Sequence, residues 1–211
     1  MSIILMVGGN FTAAQDDWNF TLTPYAWMAG LEGDIGVGGV VAPVDESFSD
    51  ILDNLELALM VGAEARNGAW GLFADGMYLD LEDSEQTAIG KVTVGVQQWL
   101  VTAGGLYRMA EDDTLILDVG AGIRYLDTKL DLNSPAGGAG SSDNWIDPLL
   151  LSRLRYRVSD KVFLTFAADL GGFGVASDLV WQLTANVGYN LTDSTALLLG
   201  YRYLDIDYEE D

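Results

Sequence analysis

Long runs of this chain alternate in polarity with a period of two, and that constrains its fold more than any other feature. In 55–66, Leu55, Leu57, Leu59, Val61, Ala63 and Ala65 fall on one face, and Glu56, Met60, Glu64 and Arg66 on the other. In 98–108, Trp99, Val101, Ala103, Gly105 and Tyr107 oppose Gln98, Thr102 and Arg108. Segments 114–125 and 180–190 repeat the pattern, with Leu115 to Tyr125 against Asp118 and Arg124, and Trp181 to Tyr189 against Gln182 and Asn186. An amphipathic helix would repeat near 3.6, so these segments are strands. Weaker alternation adds strands near 18–34, 69–81, 145–157, 162–173 and 195–207. The reading is an all-β chain of about nine antiparallel strands, each with the roughly 9–11 residues that a tilted strand needs to cross a bilayer. Pro24 and Pro148 remove ladder donors and therefore belong at a rim or edge.

The connections alternate too. Asn67-Gly68, 111–113, 159–161 and 192–194 read as tight turns, and Asn-Gly is a strong hairpin signal. Between them lie longer links near 35–54, 82–90, 131–144 and 173–178. Short turns at one end and long loops at the other are the asymmetry of an up-and-down membrane barrel. In the first long link, Phe48, Ile51, Leu52 and Leu55 follow a helical spacing after Ser47 and Ser49, which predicts a short helix.

Composition decides which face is inside. The polar face carries Glu64, Arg66, Asp75, Arg108, Asp118, Arg124, Asp147, Arg153, Arg155, Asp169 and Arg202. All seven Arg fall within strands, whereas the three Lys sit at strand ends or in loops. A solvated face does not need this bias, but a confined interior does, because guanidinium and carboxylate must pair where unpaired charge is costly. The lumen is therefore expected to hold a paired polar network. The apolar face carries Trp70, Tyr78, Trp99, Tyr107, Tyr125, Tyr156, Trp181, Tyr189, Tyr201 and Tyr203, many near strand ends, as in an aromatic girdle at a membrane interface. Outer-membrane lipid is the expected partner. The competing arrangement is a soluble lipocalin-like barrel with the apolar face inward around an apolar ligand.

The chain of 211 residues has a net charge of −22 and only ten basic residues, which argues against nucleic acid. It has neither Cys nor His, which removes disulfides, thiolate sites, imidazole catalysis and the commonest zinc sites. No carboxylate pair is singled out by spacing, so the expectation is a non-enzymatic protein without cofactor or metal. Acidic stretches at 82–85 and 205–211 lack an EF-hand spacing and read as solvated surface. Residues 136–140 read as a flexible Gly-rich loop without the Lys of a phosphate cradle.

Residues 1–15 look like part of a secretory signal or a disordered tail: Ile3 to Val7 form a short apolar run, and Thr12-Ala13-Ala14 resembles a cleavage site, but a basic n-region is missing. The barrel domain is expected over 16–211.

The stretches Trp18–Trp27, Ser47–Leu55, Gly68–Asp75, Asp169–Gly174 and Leu199–Asp205 resemble a broad group of proteobacterial outer-membrane β-barrel proteins, OmpA-like or porin-like and mostly of unassigned function, over about 18–208. The resemblance implies an outer-membrane location. It also implies one more strand after the Tyr201-Arg202-Tyr203 segment, ten in all, so the chain is expected to lack its last strand. The functional expectation is a structural barrel or a narrow conduit for small polar solutes or ions. The alternative is a surface interaction protein acting through its long outer loops. Within the polar set, Glu64, Arg66 and Asp75 are expected to group, because the Asn67-Gly68 hairpin sets their strands side by side.

Overall fold

The structure is a computed structural model that describes residues 3–12, 18–28, 31–37, 40–46, 48–87 and 90–207. The elements in chain order are β1 (Ile3–Thr12), β2 (Trp18–Met28), β3 (Leu31–Val37), β4 (Val40–Glu46), α1 (Phe48–Asp53), β5 (Leu55–Asn67), β6 (Trp70–Thr87), β7 (Gly90–Glu111), β8 (Leu115–Ser134), β9 (Gly137–Arg157), β10 (Val162–Gly172), β11 (Leu179–Asn190) and β12 (Thr195–Asp207). Ten of the strands close an antiparallel barrel in the order β1-β12-β11-β10-β9-β8-β7-β6-β5-β2, and β3 and β4 form a separate hairpin.

The count of nine strands is corrected to ten. The tenth strand is β1, the segment read as a signal remnant or tail. It pairs with β12 from Ile3↔Tyr201 to Gly9↔Thr195 and with β2 from Ile3↔Met28 to Thr12↔Asn19. The gap expected at the end of the chain is thus filled from its beginning. Alternation explains why the segment fits: Ile4 is buried while Leu5 and Val7 face outward. The expected cleavage site at Ala13-Ala14 lies outside the described residues. Along β1 and β2 the pairing lapses between Met6↔Tyr25 and Gly9↔Leu22, where Pro24 has no N–H to give. Pro148 stands one residue past Leu149, the last β9 residue paired with β10, where no donor is needed.

Two of the expected long loops are strand instead. The β6–β7 ladder continues to Thr87↔Gly90 and the β8–β9 ladder to Ser134↔Gly137. Strands β6 to β9 run 18, 22, 20 and 21 residues, against 11 to 13 for β10, β11 and β12. Pairing with β5 stops at Leu81 and pairing with β10 stops at Leu149, so the upper parts of β6–β9 form a four-stranded arm projecting beyond the barrel. The link at 35–54 holds the end of β3, then β4 and α1. The helix exposes Leu52 and is tied to the rim by Glu82 N–H donating to the Asn54 carbonyl. At the other end the turns are short. Gly68 adopts φ 54° in the β5–β6 hairpin, a left-handed conformation that glycine takes without a Cβ penalty.

Candidate functional site: the barrel lumen and its outer belt

Along the ten-stranded wall the exposed apolar side chains point out and the paired charged residues point in. Leu59 is 59% exposed, Leu150 59% and Trp70 66%, whereas Asp118 and Arg124 are at most 1% exposed. Soluble proteins rarely leave a continuous apolar surface of this extent uncovered. The lipocalin-like arrangement, with its apolar face inward, is overturned by this orientation.

Strand period places the polar side chains in the lumen, and the ladder decides which of them meet. In the half nearer the short turns, Asp118 of β8 accepts from Arg66 Nη2 (3.1 Å), Arg108 Nε (3.1 Å) and Arg153 Nη2 (2.8 Å). Glu64 of β5 accepts from Arg66 Nε (3.0 Å) and from both terminal nitrogens of Arg153 (2.6 and 3.1 Å). Strands β5 and β9 are not neighbours, so the Glu64–Arg153 pair crosses the lumen as a strut. A buried carboxylate ringed by three guanidiniums is well neutralised, and removing it would strand their charge.

Asp75 does not join this group, contrary to expectation. It lies opposite Gly62, whereas Glu64 lies opposite Phe73, so Asp75 sits further from the hairpin. There it accepts from the Tyr25 hydroxyl (3.0 Å) and lies 3.5 Å from Arg202 Nη1. Arg202 also donates to Gln182 Oε1 (2.8 Å) and to the Tyr25 hydroxyl (3.1 Å). Gln182 in turn donates to Asp169 (3.2 Å), which accepts from Arg124 Nη2 (3.0 Å), while Arg124 Nε donates to Thr102 (3.1 Å). This second layer links strands from opposite walls of the barrel.

Two members of the expected polar set stand apart. Asp147 accepts from the backbone N–H (2.8 Å) and hydroxyl (2.6 Å) of Ser177, holding the β10–β11 loop against β9. Arg155 lies over the Phe163 ring at 3.8 Å and has no carboxylate partner among the described residues.

Above the second layer the lumen becomes apolar. Met60, Met77, Leu100 and Leu126 form a buried cluster packed by Tyr25, Trp27, Leu79, Trp145, Leu204 and Ile206. This septum closes the end toward the arm. Toward the short turns the lumen opens into a cavity of about 1000 Å³ lined by the polar layers and, at its mouth, by Asp160, Lys161, Asn190 and Asp193. None of the four central septum side chains lines that cavity.

Sequence reasoning missed the septum, although the chain carries a signal for it. Tyr-Leu-Asp occurs at 78–80, 125–127 and 203–205. Each Leu belongs to the septum or packs on it, and each Tyr hydroxyl donates to the Asp two positions on, at 3.1, 3.2 and 3.1 Å. The tripeptide therefore marks one level of the barrel on three strands: lumenal plug inside, capped tyrosine outside. Tyr25 and Gln182 were also missed as network members, since neither carries charge.

The aromatic residues on the outside form two groups. Trp70 packs on Tyr107 at 4.9 Å near the short turns, with Tyr156 and Tyr189 toward the same end. Tyr78 packs on Trp99 at 4.6 Å and Trp181 on Tyr203 at 5.0 Å toward the arm, with Tyr125 beside them and Tyr201 within the band between. On β6 and on β7 the two groups are eight positions apart. That is about 26 Å along a strand, or roughly 20 Å along the axis at a tilt near 40°.

No protein-family model and no curated protein matches the chain. Among solved structures it is similar to the translocator domain of the autotransporter NalP from Neisseria meningitidis, at 14% identity over 98% of this chain and 86% of that one, with a TM-score of 0.47. It is also similar to Neisserial surface protein A, at 9% identity over 98% and 97% of the two chains (TM-score 0.37), and to Ail, the attachment invasion locus protein of Yersinia pestis, at 10% identity over 96% and 98% (TM-score 0.34).

Proposed function

We propose that this protein is a non-enzymatic β-barrel of the bacterial outer membrane, a closed and internally braced anchor that displays the β6–β9 arm outside the bilayer. The observation that carries the reading is the outward apolar belt bounded by two aromatic groups. Their roughly 20 Å axial separation is close to the ~25 Å apolar band of such barrels. The septum favours a structural barrel over an open conduit, since an apolar constriction of this kind excludes water and ions until its side chains move. The loop asymmetry supports placing the arm outside and the short turns in the periplasm.

The test is extraction of membranes followed by gel mobility. A folded barrel resists detergent unheated and shifts its mobility on boiling; full solubility of folded protein without detergent would overturn the membrane reading. Because the chain has no Cys, single cysteines report sidedness cleanly. Ser142→Cys in the arm is expected to react with an impermeant maleimide on whole cells, and Asp193→Cys in a short turn only after the membrane is breached.

A surface-interaction role for the arm is favoured by one specific observation. Pairing of β9 with β10 begins only at Leu149 and the β10–β11 loop is held at Asp147, so 137–144 is a strand edge without a ladder partner on the β10 side. Unpaired edges are templates for strand addition.

A further inference from the structure

Among the described residues, the lumenal cavity is lined by an arginine that the charged network does not pair. Arg66, Arg108, Arg124, Arg153 and Arg202 each face a carboxylate, and Arg155 alone among the lumenal arginines does not, within the described residues. Its charged neighbours are themselves cationic: Arg153, Arg157 and Arg108. Arg155 is exposed at the cavity wall, so its guanidinium is open to whatever enters the lumen.

The position is nevertheless built. Phe163 is buried, and its ring lies against Gly188 of the adjacent strand, where any Cβ would collide with it. The same ring supports the guanidinium of Arg155, whose central carbon lies over it at 3.8 Å from the centroid. Stacking holds the plane of the group by its face, and leaves the N–H donors on its edge unused. Arg155 and Phe163 both line the cavity, whose short-turn mouth carries Lys161 beside Asp160 and Asp193.

We propose that Arg155, seated on Phe163, is a binding site for a compact oxyanion, a carboxylate, phosphate or sulfate group, that enters the lumen from the short-turn end. A planar fork with free edge donors matches the paired oxygens of such a group. The bound anion would supply the counter-charge that the described residues do not. The site depends on the lumen and its cavity, and holds whether or not the arm serves as an interaction surface.

The experiment uses the full chain folded in dodecyl maltoside, with unheated gel mobility and far-UV circular dichroism establishing the barrel in every sample. Thermal unfolding is followed while inorganic phosphate, sulfate or acetate is titrated at ionic strength fixed with sodium chloride. A parallel arm uses dihexanoyl phosphatidic acid to distinguish a lipid headgroup from a free solute. The expected result is a saturable rise in Tm with at least one of these probes, its midpoint moved by about tenfold or more in Arg155→Gln, as for loss of a charge-assisted bond. Phe163→Leu, which keeps the charge and removes the platform, is expected to weaken the same response. A response equal in wild type and Arg155→Gln, or no saturable response in wild type, would overturn the proposal. A sample that never forms the barrel would instead count against the anchor reading.

Discussion

At the scale of single residues the lumen is organised around Asp118. Its carboxylate is almost wholly buried and holds three guanidiniums that come from three strands. Asp118→Ala is expected to cost about 3–5 kcal/mol of unfolding free energy, the size typical of breaking a buried ionic cluster from one side. Urea unfolding in detergent micelles measures it, and a loss under 1 kcal/mol would mean the cluster is held by the wall alone. A second residue gives a pH signature outside the membrane span. Asp112, in the β7–β8 turn, accepts the N–H groups of Thr114 (2.7 Å) and Leu115 (2.8 Å), and these bonds hold its carboxyl below the usual range. A depressed folded-state value adds stability above the unfolded value and loses it as pH falls through the folded one. Wild type is therefore expected to lose an increment of stability below the ordinary carboxylate range that Asp112→Asn does not lose. Superimposable pH–stability curves would sink the assignment. That these residues face inward was legible from strand period, but their partners were not. Asp75 and Glu64 share a face, yet two ladder positions decide that one meets Arg202 and the other Arg153.

Whole strands were legible where one face is apolar and the other polar. Two of the misread segments went wrong for opposite reasons. Ile3 to Val7 are so apolar that they resemble a signal core; only pairing with β2 and β12 on both sides reveals a strand. The stretch from Asn133 to Asn144 is rich in Gly, Ser and Asn, which fit strands poorly, and apart from the turn at 135–136 it becomes strand because β8 and β9 keep their ladder beyond the barrel. Tertiary pairing overrides local preference in both cases. An element held only by its own ladder should be separable from the barrel. Excising 84–93, the tip of the β6–β7 hairpin, and joining Asp83 to Val94 through Asn-Gly preserves the register, since Asp83 and Val94 already face each other. The shortened protein is expected to keep its heat-modifiable mobility and to unfold within about 1 kcal/mol of wild type, as surface changes away from packed features do. Loss of the folded band would show that the arm is part of the barrel's stability rather than an appendage.

The molecule as a whole is divided by its septum into a polar, open half and a closed one, and this division determines whether the barrel conducts. Ions could enter the cavity from the short-turn mouth, where the lining is polar and charged. To leave on the arm side they must pass Met60, Met77, Leu100 and Leu126, all at most 9% exposed and offering no ligand to replace a hydration shell. Wild-type protein in planar bilayers is therefore expected to show no steady conductance. The barrier should yield to polarity rather than to space alone: Met60→Ser with Leu100→Ser and Leu126→Ser replaces the seal with hydroxyls able to carry water. Met60→Ala with Leu100→Ala and Leu126→Ala makes similar room and leaves it apolar, and an apolar cavity of modest size stays dry. The serine variant is expected to conduct and the alanine variant to remain silent or flicker, with both still showing folded mobility on unheated gels. Equal conductance in the two would place the barrier in the width of the lumen, and steady conductance in wild type would show that the septum does not seal it.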